Sequence, residues 1–106
     1  MPVLGRGRFG DLVGRQLDLF AADDAALLNE AEEADARWTH APREETEELY
    51  GDYQLVVDQV AERLLDIRET YASSLEERTA SRYRAAFNRA ALNRFRLSAA
   101  LLTEQT

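Results

Sequence analysis

Residues 49–71 read LYGDYQLVVDQVAERLLDIRETY, and within them Leu49, Tyr53, Val56, Val60, Leu64, Ile67 and Tyr71 recur at alternating four- and three-residue intervals. That spacing follows the turn of an α-helix and sets these side chains on one face, which must find apolar partners elsewhere in the chain. Gly51 weakens the pattern only locally. Upstream, Thr39-His40-Ala41-Pro42 marks a helix end, because the residue before a proline is pushed out of helical geometry while proline suits a first turn. Glu44, Glu45, Glu47 and Glu48 then fill the opening turns, where they complement the positive end of the helix dipole. Downstream, Ser73-Ser74 can close this helix and cap the next.

Two further helices flank this one. Asp23 or Asp24 can cap a helix running through Leu27, Leu28, Ala31 and Ala34 to Trp38. After the serines, Tyr83, Phe87, Ala90, Leu97 and Leu101 fall on one line with Ala91, Phe95 and Leu102 beside it. The spacing therefore predicts helices over about 23–39, 43–73 and 76–102. No alternating β-type run competes, and no internal repeat is present. Short connections make antiparallel neighbours, so the expected fold is all-α, an antiparallel three-helix bundle or long helical hairpin over residues 23–106. Ahead of it, Gly5, Gly7, Gly10 and Gly14 are interleaved with arginines, which predicts a flexible arm over residues 1–22. A second reading stays open here. Val13, Leu17, Phe20, Leu27, Ala31 and Trp38 also lie near one helical line, which would start the first helix at Asp11.

A chain of 106 residues with 45% hydrophobic content has room for one modest core, so oligomerisation or docking to a partner is a reasonable expectation. The absence of cysteine excludes disulfides, a thiolate nucleophile and Cys-rich zinc sites. No apolar run approaches a signal peptide or a membrane span, and a cytoplasmic location is expected. The net charge of -7 speaks against a protein that coats nucleic acid. The charge is unevenly spread: Asp23 to Ser73 holds four Arg against fifteen acids, whereas Ser74 to Thr106 holds six Arg against three.

Within the arm, Gln16-Leu17-Asp18-Leu19-Phe20 resembles, at all five positions, the short motif by which bacterial replication and repair proteins dock on the sliding clamp. The resemblance covers about a twentieth of the chain and no wider family. It implies an extended segment in which Gln16 is the polar anchor, Leu19 and Phe20 fill an apolar pocket, Leu17 flanks them and Asp18 faces solvent. Helical register accounts equally well for apolar residues at Leu17 and Phe20, which is the competing explanation.

Other constellations have simpler readings. Arg78, Arg82, Arg89 and Arg96 lie near one line of the last helix and could grip phosphates or an acidic partner, the simpler alternative being the acidic middle of the same bundle or of a second copy. His40 and Glu44 stand four apart, but Pro42 intervenes and no second histidine completes a metal pair, so no metal is expected. The acidic runs lack the glycine and alternating ligands of a calcium loop and read as solvated faces. The aromatic residues at helical spacing read as core. No nucleophile-base pair or phosphate loop is present, so neither catalysis nor a cofactor is expected. The leading functional expectation is a non-enzymatic adaptor recruited to the sliding clamp through Gln16 to Phe20, touching nucleic acid indirectly if at all. The alternative is an assembly module that homo-oligomerises through its helices.

Overall fold

A computed structural model describes residues 7–96. Four helices account for most of that span: α1 Gly10–Asp23, α2 Ala25–Thr39, α3 Thr46–Ala72 and α4 Glu77–Arg94, with a 3-10 turn over Arg43–Glu45 before α3. No strand occurs among the described residues. The last predicted turn of the final helix, with Leu97, Leu101 and Leu102, lies outside them, as do residues 1–6 of the expected arm.

The chief departure from expectation is α1. Where a loose glycine-rich arm is expected, residues 10–23 are helical. Glycine is a poor helix former, yet Phe9, Val13, Leu17 and Phe20 enter one core cluster with Val60 and Leu64 of α3 and Tyr83, Phe87 and Ala91 of α4. Burying such side chains is worth roughly 1.5–3 kcal/mol each, which outweighs a propensity penalty of about 1 kcal/mol per glycine. Tertiary packing decides the conformation.

Only Asp24 separates α1 from α2. Its N–H bonds to the Phe20 carbonyl at 2.8 Å, and its own carbonyl accepts from Leu28 at 3.0 Å, so the chain barely interrupts its turn there. Asp24 stands at the N-cap position, but its carboxylate makes no cap bond and reaches Arg63 of α3 instead, at 3.3 Å. Against α3, Asp24 meets Arg63 while Trp38 meets Tyr50 and Tyr53, so α2 runs antiparallel to the first half of α3. A second core cluster forms along that contact from Ala34, Tyr53, Val56 and Val57, with Leu27, Ala31 and Trp38 packed on it.

Pro42 adopts the extended conformation expected before a helix, with φ -60° and ψ 154°. The α-helical stretch then begins at Thr46, whose hydroxyl donates to the Pro42 carbonyl at 3.0 Å. At the far end, Ser73 and Ser74 donate their hydroxyls back to the carbonyls of Thr70 and Tyr71, which satisfies groups the helix end leaves open. Neither serine caps α4. Glu76 does so, its carboxylate accepting from the Thr79 N–H at 2.8 Å and the Thr79 hydroxyl at 3.0 Å. These two bonds hold the Glu76 carboxyl below its ordinary value.

α4 runs antiparallel to the second half of α3, since Arg68 meets Asn88 and Tyr71 meets Tyr83. It runs parallel to α1, since Phe9 meets Tyr83 and Phe20 meets Phe95. The molecule is elongated, 53 × 27 × 22 Å. Gly51 sits inside α3 on its exposed side, and a Cβ added there meets nothing within 4 Å. Gly51→Ala is therefore expected to raise stability by about 0.5–1 kcal/mol. A urea midpoint that stays put or falls would contradict this placement.

Candidate interaction surface: the outer faces of the third and fourth helices

The clamp-like pentapeptide lies wholly inside α1. Its side chains already have internal roles. Leu17 and Phe20 belong to the core cluster, Phe20 with its ring edge-on to Phe95 at 5.3 Å. Gln16 accepts a hydrogen bond from the Tyr83 hydroxyl at 2.8 Å. Tyr83 is completely buried, and burial pushes its pKa up to about 12 against the opposing effect of the Gln16 bond, so the phenol keeps its proton. Asp18 pairs with Arg94 at 2.7 Å. Leu19 points outward, 63% exposed, as does Asp18, whose side chain is 71% exposed. Adjacent residues on a helix diverge by about 100°, so α1 cannot present Leu19 and Phe20 to one pocket.

The arginine row behaves differently. Arg78, Arg82 and Arg89 line the side of α4 opposite the buried row Ala80, Tyr83, Phe87 and Ala91, and Arg96 follows just beyond the helix end. All four are exposed, and none makes an ion pair among the described residues. Of the alternative, the acidic middle of the same bundle or of a second copy, the first supplies no ion pair to Arg78, Arg82 or Arg89 among the described residues. Arg96 comes nearest to such a pair, sharing a groove with Glu32 and Asp35 of α2. Leu92, 40% exposed, lies on the same side of α4 as Arg89.

The acidic runs behave alike. Glu30, Glu32 and Glu33 on α2, and Glu44, Glu45, Glu47 and Glu48 around the start of α3, are exposed and form no ion pair among the described residues. On the outer side of α3, Glu48, Asp52, Asp58 and Glu62 surround Leu55, which is 63% exposed. His40 is exposed at the end of α2 and Glu44 lies in the 3-10 turn; no group of three or more metal-ligating side chains gathers among the described residues.

One site escaped the sequence reading. Arg68 is 2% exposed inside α3, on the row that continues from Val60 and Leu64 to Ala72. Its Nε donates to Glu69 at 2.8 Å and its Nη1 to Asn88 Oδ1 at 2.8 Å. Arg84 of α4 grips the same Glu69 through both carboxylate oxygens, at 2.9 Å each. Arg84, aided by Arg68, holds the Glu69 carboxyl below its ordinary value although burial pushes it up. A charge sitting on an apolar row is the signal that could have revealed this network.

No protein-family model matches this chain, and no curated protein or solved structure matches it either.

Proposed function

We propose that this protein is a non-enzymatic helical interaction module that associates with its own copies, the arginine side of α4 in one molecule resting on the acidic outer side of α3 in another. The observation that carries this reading is the pairing of two exposed faces with opposite charge that form no ion pairs among the described residues, each carrying one exposed leucine, Leu92 and Leu55. Complementary charge steers and orients an encounter, while a leucine shielded from water supplies affinity. One helix laid on another covers less than the roughly 1,200 Å² of a stable complex, which makes the association weak and concentration-dependent.

Charge exchange tests it. The double variant Arg82→Glu/Arg89→Glu should weaken self-association about tenfold or more in sedimentation at low salt. Mixing it with Asp58→Arg/Glu62→Arg should restore mixed assembly, and salt should weaken the parent's association because exposed charges are screened beyond about 10 Å at 0.1 M. A parent chain that stays monomeric at high concentration and low salt would refute the proposal.

Recruitment to a bacterial sliding clamp through Gln16 to Phe20, in a cytoplasmic setting, is the weaker reading. Docking in extended form would have to unwind α1 and withdraw Leu17 and Phe20 from the core.

A further inference from the structure

Beside Arg68, the α3–α4 junction opens into a cleft of about 670 Å³ whose polar lining is Arg68, Glu69, Ser81, Arg84 and Asn88. We infer that this cleft binds a small anion through a phosphoryl or carboxylate group. This inference is independent of self-association, because the cleft uses Arg68 and Arg84 rather than the exposed arginine row.

Donors outnumber acceptors in this cleft. Each guanidinium carries five N–H groups. Arg68 spends one on Glu69 and one on Asn88, and Arg84 spends two on Glu69, so both have donors left over. Asn88 accepts through Oδ1, which leaves its amide nitrogen to donate, and the Ser81 hydroxyl adds another donor at the rim. The one carboxylate in the cleft already takes three charge-assisted bonds. Unused capacity is thus mostly donor capacity.

Charge points the same way. Two guanidiniums and one carboxylate line the cleft, so its lining is net positive in a molecule of net charge -7, with Glu77 acting on Arg84 from outside it. One of the two, Arg68, is almost wholly withdrawn from bulk water, where a cation gains most from a second counter-charge. Planar, forked guanidinium donors match the oxygen pairs of phosphate and carboxylate.

Titration of the intact protein with inorganic phosphate, and separately with succinate, followed by NMR of the arginine Nε–H groups, tests the inference and identifies the preferred anion class. Saturable shifts at Arg68 and Arg84 are expected with at least one of the two. Arg84→Gln, which alters a half-exposed side chain, should keep the helical circular-dichroism signal and weaken binding about tenfold. Glu69→Gln should tighten it, since the resident carboxylate competes for the same donors. Arg82→Gln/Arg89→Gln, aimed at the assembly face, should leave anion binding unchanged while weakening self-association, so either idea can fail alone. Absence of saturable shifts with both anions, or an Arg84→Gln protein that folds and binds like the parent, would overturn the inference. Equal weakening by the Arg82→Gln/Arg89→Gln pair would overturn it too, by showing diffuse charge attraction.

Discussion

Phe20→Ala is expected to cost about 3–5 kcal/mol of folding stability, the range for removing a buried aromatic side chain, whereas Leu19→Ala, one residue away, should change stability by no more than about 0.5 kcal/mol. The contrast follows from exposure, 2% against 63%. Phe20 fills the space between α1, α3 and α4 and meets Phe95 edge-on, so truncation loses both transfer free energy and ring packing. A domain of this size has about 5–15 kcal/mol to lose, so the Phe20 variant should unfold at visibly lower urea and fray α1 first. Equal effects of the two substitutions would mean that residues 10–23 are not docked.

The same pair separates the two functional readings. For a clamp-docking segment in extended form, Leu19 and Phe20 act together, and both substitutions abolish association. In the folded chain they point apart, and withdrawing Leu17 and Phe20 from the core costs roughly 3–6 kcal/mol. That is comparable to what burying one Leu and one Phe in another protein's pocket returns. An isolated peptide of residues 14–22 is free of this competition. Clamp affinity in the peptide but not in the folded chain would show that α1 conceals the motif; similar affinity in both would show that α1 opens readily.

How much of this could be read from residues alone depended on how local each signal is. The stripe of α3 is carried by its own period, Pro42 by fixed backbone geometry and the serine stop by two adjacent hydroxyls, and each of these needs no knowledge of the rest of the chain. α1 was ambiguous because Gly10 and Gly14 argue for a loose arm while Val13, Leu17 and Phe20 argue for a helix, and only the presence of Tyr83 and Phe87 opposite decides between them. The cap at Glu76 was hidden for a similar reason, since two serines nearby are better capping residues by type but are used to finish α3. The arginine row was legible as a period. That Arg78, Arg82 and Arg89 form no ion pair among the described residues depends on where α2 and α3 lie, which no spacing within α4 encodes.

Glu69→Ala should cost about 1–3 kcal/mol, because it leaves the buried Arg68 guanidinium with only Asn88. The figure sits below the usual cost of breaking a fully buried pair because the Glu69 side chain is 40% exposed, so water can partly take its place. Desolvation rather than lost attraction dominates, and that has a test. If the damage is an uncompensated buried charge, replacing it with an apolar side chain of similar volume should relieve it: Arg68→Met/Glu69→Ala should be more stable than Glu69→Ala alone and within about 1 kcal/mol of the parent. If the double variant is instead worse, the network is holding α3 to α4 by its bonds and not merely tolerating a cation. Acid gives an independent reading. The Glu69 pKa is lowered from its ordinary 4.5, chiefly by Arg84, so its contribution is fully present above about that pH and is lost as pH falls through the lowered folded-state value. The parent should therefore lose stability relative to Glu69→Ala on acidification, and a gap between the two urea midpoints that persists below that value would exclude ionised Glu69 as the source of the difference.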